Sequence, residues 1–178
     1  EENPQGMTFL VWECPSSGIA CATDTFIYDE KGKISKQTVV VWPASAAGAG
    51  ACESTDPTGG PCQASWDNHF AAFGAQDVPR ILDDYTEASV VRVYNRTTKK
   101  LDTFRGLQEV EQCFTGLFGA LSDLSALAAP LIKVEENPEG MVLLAWECPS
   151  SGFVKATDTF IFDSAGKIVK QNVVVETA

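Results

Sequence analysis

Apolar residues recur along this chain with two different periods. Between Trp66 and Phe118 much of the spacing is helical, and elsewhere it alternates or runs on continuously, as in strands. Trp66, Phe70 and Phe73 stand at i, i+4 and i+7 and mark one face of a first helix. Gly74 is the expected stop. Asp77 has the character of an N-cap, with Pro79 at the second helical position. Val78, Ile81, Leu82 and Tyr85 form a short second stripe. Residues 89–94, SVVRVY, are β-branched and predict a strand, followed by a polar turn over Asn95–Lys100 and a short return strand over Asp102–Arg105. Gly106 opens a third helix with Leu107, Val110, Cys113, Phe114, Leu117 and Phe118 on one side.

The remainder predicts strands over Leu124–Val134, Met141–Cys148, Phe153–Asp163 and Lys167–Glu176. Turns at Pro149-Ser150-Ser151-Gly152 and Ser164-Ala165-Gly166 separate the last three. This order predicts an α+β architecture with helices packed on one side of a curved antiparallel sheet.

The chain also repeats itself. Residues 1–42 align with residues 135–176 at an offset of 134, and 29 of 42 positions match. Residues 1–42 therefore read as the C-terminal β-segment of a preceding repeat. Residues 43–62, rich in Gly, Ala and Pro, read as a linker, and residues 63–178 as a complete domain. The start at Glu1-Glu2-Asn3-Pro4, without an initiator Met, fits a processed or excised piece. Three strands without a helical cover leave an apolar face that something must bury. Two arrangements are open. Residues 1–42 pack against a neighbouring chain or upstream repeat, or they complete the sheet around residues 63–133 and leave 134–178 to dock elsewhere. Both predict association, of the chain with itself or with neighbouring repeats, as a homo-oligomer or a domain-swapped assembly.

Charge and cysteine usage narrow the function classes. A net charge of −11 over 178 residues repels phosphate backbones and anionic membrane surfaces, so neither nucleic acid nor a membrane is an expected partner. No apolar run approaches the ~20 residues of a membrane-spanning helix. The six cysteines include no C-x-x-C pair and there is a single His, so neither a metal site nor a cofactor is expected. Cys52 with Cys62, and Cys14 with Cys21, are candidate disulfides. Asn95-Arg96-Thr97 is a glycosylation sequon, of consequence only in a secreted protein.

Several stretches carry a family resemblance. They are Trp66 to Asp77 (WDNHFAAFGAQD), Ile81–Val90 (ILDDYTEASV), Phe104-Arg105-Gly106-Leu107, and Asp158–Asp163 with Gly166-Lys167-Ile168. Residues 63–176 resemble the SnoaL-like branch of the nuclear-transport-factor-2-like superfamily. The resemblance implies a cone, in which a curved sheet wraps helices and leaves an apolar pocket. It does not imply one activity, since the superfamily holds cyclases, isomerase-like enzymes and non-catalytic adaptors. SnoaL-type cyclases carry a His-Trp-Asp run whose Asp is the acid/base, and the matching positions here are Gln171, Asn172 and Val173. The domain is also distantly similar to iota-class carbonic anhydrases, whose His-rich run is replaced here by Lys170-Gln171-Asn172-Val173. The first copy has Gln37, Thr38 and Val39 and lacks the same groups.

The catalytic candidates are Asp158, His69 and Tyr85. Asp158 sits in an apolar strand and recurs as Asp24; facing inward it would act as a base of raised pKa, facing outward it would pair with Arg92 or Lys170. His69 is either a buried general base or a surface or hydrogen-bonded helix residue. Trp66, Tyr85, Tyr94, Trp146 and Gln171 are the candidate pocket residues, each with core packing or backbone satisfaction as its alternative. Cys113 reads as a buried core thiol. The favoured function is a non-catalytic repeat module for assembly, or for binding a small apolar ligand in the cone. The alternative is an enzyme of SnoaL-like type, with isomerase-, cyclase- or hydratase-like acid–base chemistry on a hydrophobic molecule, using Asp158 as base and Tyr85 or Tyr94 as donor. An enzyme requires an open cavity with a convergent polar cluster. An assembly module requires a filled cone and a large apolar contact surface.

Overall fold

A computed structural model of the chain describes residues 6–43, 59–136 and 140–178. The chain divides into two compact units, Glu1–Gly50 and Ala51–Ala178. In the first unit, β1 (Met7–Cys14), β2 (Ile19–Tyr28) and β3 (Ile34–Pro43) form an antiparallel sheet in that order. The linker expected over 43–62 falls largely outside the described residues, as does Cys52. The expected Cys14–Cys21 bridge is absent. Cys14 keeps a free thiol whose Sγ lies 3.4 Å from the Ser17 hydroxyl, turned into the Pro-Ser-Ser turn rather than across the hairpin.

The second unit begins with α1 (Pro61–Ala75), α2 (Val78–Leu82), β4 (Tyr85–Asn95), β5 (Lys100–Arg105) and α3 (Gly106–Ala120). It ends with β6 (Ala128–Glu135), β7 (Met141–Cys148), β8 (Phe153–Phe162) and β9 (Ile168–Thr177). The sheet order is β5-β4-β9-β8-β7-β6. Every neighbouring pair is antiparallel except β4 and β9, which run parallel. The second copy of the repeat thus completes this sheet, and the arrangement in which residues 1–42 would do so does not occur. Its reason is connectivity: β6 leads directly into β7, and β9 docks its free edge on β4.

The repeated sequence keeps the same register in both copies. Leu10, Asp24 and Val39 lie side by side across β1, β2 and β3, as Leu144, Asp158 and Val173 do across β7, β8 and β9. The irregularity between Trp12 and Cys14 recurs between Trp146 and Cys148, and that between Ile27 and Tyr28 recurs between Ile161 and Phe162. Extra residues of this kind bend strands, and in the second unit they occur in four strand pairs, which is how the sheet comes to curve.

Two local readings change. α1 passes Gly74 and stops at Gln76, which takes the left-handed conformation (φ 53°) and donates its side-chain amide to the Leu121 carbonyl at 2.8 Å. The buried stripe of α1 is also turned by one residue: Cys62, Trp66, His69 and Ala72 are buried, while Phe70 is 43% exposed. Aromatic neighbours hold His69 inside, with Phe160, Phe114 and Tyr85 rings 5.2–5.8 Å from its own. Asp77 caps α2 as expected, accepting from the Arg80 amide at 3.2 Å.

Gly166 shows how closely α1 meets the sheet. Its φ is 79°, and a Cβ there would stand 2.5 Å from the Pro61 carbonyl oxygen. Gly32, the matching turn residue, has φ 71° and open space around it. Gly166→Ala is expected to cost about 1–3 kcal/mol by thermal unfolding, and Gly32→Ala less, because only the first adds a backbone clash to the positive-φ strain. Equal losses would show that Pro61 does not press on the turn.

Candidate functional site

The concave face of the second sheet and the inner faces of α1 and α3 enclose a cavity of about 500 Å³. Its walls are mainly apolar: Trp66 and Phe73 from α1, Phe114 and Leu117 from α3, Val91 and Val93 from β4, and Phe160, Val173 and Val175 from the sheet. Alternation along β8 explains why a carboxylate joins them. Phe160 is core, so Asp158, two residues earlier, faces the same way, and it lines the cavity. Arg92 and Lys170 stand on the alternate positions, opposite Asn172 and Ile161, and are not the partners of Asp158.

Its partners are neutral. Trp146 Nε1 donates to Asp158 Oδ2 at 2.6 Å, and Gln171 Nε2 donates to Oδ1 at 2.7 Å. Tyr85 in turn donates its hydroxyl to Gln171 Oε1 at 2.5 Å. The order of this chain follows from chemistry: an ionised carboxylate only accepts, so the amide must turn its NH₂ to Asp158 and its oxygen to Tyr85. Burial raises the Asp158 pKa from 3.8 to about 6, and the hydrogen bonds from Gln171 and Trp146 hold it from rising further. Burial, and then the Asp158 charge, raise Tyr85 well above its ordinary value, so it remains a phenol. Cys113 also lines the cavity, and burial, followed by the charges of Asp158 and Asp102, pushes its thiol up to about 12. A thiol so protonated at neutral pH is not a nucleophile.

His69 lines the cavity and is buried. Its Nδ1 has no hydrogen-bond partner among the described residues, and Asp84 Oδ2 lies 3.5 Å away. Asp84 is itself held by Ser65 Oγ at 3.2 Å and Asn68 Nδ2 at 3.0 Å. This arrangement orients an imidazole at the cavity wall.

The candidate residues therefore fall into three groups. Asp158, His69, Trp66, Trp146 and Gln171 all line the cavity. Tyr85 stands one hydrogen bond behind it, its hydroxyl on Gln171. Tyr94 lies outside it, because β4 directs Val91, Val93 and Asn95 inward and Tyr94 to the other face. Sequence reasoning missed Asp84 and the Trp146–Asp158–Gln171 link. A signal for the link existed: Trp12, Asp24 and Gln37 survive unchanged at the same offset. Trp12 Nε1 and Gln37 Nε2 (at 2.7 Å for the latter) donate to Asp24 in the first unit too.

No family model and no curated protein matches the chain. Solved structures do. A steroid delta-isomerase from Pseudomonas aeruginosa aligns with a TM-score of 0.52 and 16% identity, over 69% of this chain and 83% of that one. A SnoaL-like protein of unknown function from Burkholderia thailandensis aligns with a TM-score of 0.51 and 15% identity, over 69% of this chain and 98% of that one. At such identities the likeness is one of fold. The chain has the SnoaL-like, nuclear-transport-factor-2-like cone, a curved sheet wrapped around helices.

Proposed function

We propose that the cone binds a small, largely apolar molecule and holds its polar group against Asp158. The observation that carries this reading is the buried carboxylate on the wall of a mainly apolar cavity of about 500 Å³. That volume suits a compact ring system, and one fixed polar group suffices to orient it. A cone built only for assembly would be filled. Both donors to Asp158 come from the protein at one per oxygen, which leaves each oxygen a lone pair for a ligand hydroxyl or amine.

The probe for this reading is 2-naphthol against naphthalene, titrated at pH 7.5. A hydrogen bond to an ionised group contributes about 1.5–3 kcal/mol net, so the hydroxyl should improve affinity roughly 10- to 100-fold. Asp158→Asn, which keeps size and loses charge, should shrink that preference to a few-fold. Equal affinity of the native chain for the two probes would refute the reading.

A second reading, acid–base catalysis, is favoured by one observation: Asp158 is buried at the cavity wall, which raises its carboxyl pKa to about 6. A carboxylate so placed takes up and returns a proton near neutral pH. Its substrate class would be a hydrophobic ketone with an acidic α-proton. Deuterium exchange at the α-carbon of 2-tetralone, followed by NMR, should then rise through pH 6 and vanish in Asp158→Asn. Exchange no faster than in buffer would exclude it and leave the binding reading standing.

A further inference from the structure

On the face of the first sheet that matches the cavity wall, the apolar residues of the outer strands are open to solvent, while Ala22 and Asp24 on the middle strand are buried. Leu10, Ile34, Val39 and Val41 are 44–54% exposed, whereas their counterparts Leu144, Ile168, Val173 and Val175 are 0–9% exposed. The two faces are otherwise nearly the same surface. Leu10, Trp12, Ala22, Asp24, Phe26, Gln37, Val39 and Val41 recur unchanged in the second copy. Only Thr8, Ile19, Tyr28 and Pro43 differ on this face, where the second copy has Val142, Phe153, Phe162 and Thr177. Asp24 accepts from Trp12 and Gln37 as Asp158 does from Trp146 and Gln171. A face of valines and leucines around a hydrogen-bonded carboxylate has no reason to persist on an uncovered surface.

We infer that this face is half of a second ligand site of the same chemical class, closed by a helix–helix–strand–strand–helix–strand segment of the make-up of residues 61–135. The ligand class rests on the reading above; the cover rests on the match between the faces. In the second unit Trp66 meets Phe160 edge-on, Phe73 meets Trp146 edge-on, and Tyr85 bonds Gln171. Phe26, Trp12 and Gln37 stand ready for the same contacts. The edges agree as well. β9 receives β4 in parallel and β7 receives β6, while β3 and β1 are the outer strands of their sheet.

The other occupants fit less well. The chain's own helical layer is already spent on β7–β9. A second copy of the β1–β3 face, stacked on this one, would bring two Asp24 carboxylates into a dry interface without a cation. One sheet is left over per chain, so exchange between identical chains cannot cover both.

The sequence supplies the test. Val134 is followed by Glu135-Glu136-Asn137-Pro138, and the chain opens with the same four residues, so a second copy of residues 59–134 can be joined to Glu1 through the chain's own junction. Hydrogen exchange over residues 7–43 is compared between the 178-residue chain and this extended chain, and 2-naphthol is titrated into both. Extension should slow exchange of the β1 and β3 amides about tenfold or more, toward the rates of β7 and β9. It should raise the 2-naphthol stoichiometry from one to two, with one equivalent lost in Asp24→Asn and the other in Asp158→Asn. Val39→Lys, which changes a half-exposed residue of the 178-residue chain, should return β1–β3 of the extended chain to fast exchange. Unchanged exchange over 7–43 would overturn the inference, and so would slowed exchange with a single equivalent insensitive to Asp24→Asn. If neither chain bound 2-naphthol, the reading of the cone would fail instead, and the exchange rates would still decide the cover.

Discussion

Phe160→Ala should cost the second unit about 3–5 kcal/mol of unfolding free energy, while the matching Phe26→Ala should cost the first unit far less. Phe160 is 1% exposed, with Trp66 and His69 rings 5.4 and 5.2 Å away and Phe162 beside it. Its removal deletes a whole aromatic side chain from between the sheet and α1, where Trp66 cannot follow without leaving its own helix face. Phe26 has the same sequence neighbours and the same register but is only half-buried. The pair separates what a strand contributes from what its cover contributes. Urea unfolding read by hydrogen exchange on β8 and on β2 gives the two losses separately. Similar losses would mean that Phe160 gains little from the helical layer, and the reading of this face as half of a packed interior would fall with it.

Much of this architecture was legible because it is local. Strand boundaries in the repeat, the Asp77 cap and the apolar side of α3 all follow from spacings within a dozen residues. The duplication exposed the mismatch between two sheets and one helical layer before any coordinates. The misreadings share a cause. Gly74 looked like the helix stop because glycine so often is one, yet the anchor that fixes Gln76 is the Leu121 carbonyl, 45 residues away. Phe70 looked like core and His69 like surface on hydrophobicity alone. The ring contacts that bury His69 come from β4, β8 and α3. The parallel β4–β9 pair joins strands more than 70 residues apart and leaves no local trace.

The site was half legible for a similar reason. Alternation placed Asp158 and Phe160 on one face and Gln171 with Val173 and Val175 on one face, but not which face was inner. That is decided by register across strands: Phe160 pairs with Gln171, and Ala156 with Trp146. Once both pairings hold, Trp146 and Gln171 converge on Asp158 from opposite sides. The cyclase-type acid/base position is occupied by Val173, so the resemblance alone pointed away from chemistry. Asp158 offers a carboxylate to the same cavity from the neighbouring strand.

Stability of the native chain should fall by roughly 2 kcal/mol between pH 4 and pH 7.5 on account of Asp158 alone. The sign follows from its pKa, raised from 3.8 to about 6 by burial. Between those values the folded protein keeps a proton that the unfolded chain has released. The stabilisation is therefore complete below about pH 4 and is withdrawn as pH rises through 6. The rest of the acidic chain adds self-repulsion in the same direction, since its net charge grows toward −11. The measurement is accordingly a difference: urea midpoints from pH 4 to 7.5 for the native chain and for Asp158→Asn, which has no proton to lose. The native curve should be the steeper by the stated amount, and parallel curves would show that Asp158 titrates normally. Ligand binding must respond with the opposite sign. A hydroxyl donated to Asp158 needs the ionised carboxylate, so 2-naphthol affinity should rise over the same interval in which stability falls. General loosening of the fold with pH would weaken both together, and only a single buried acid at the cavity wall drives them apart.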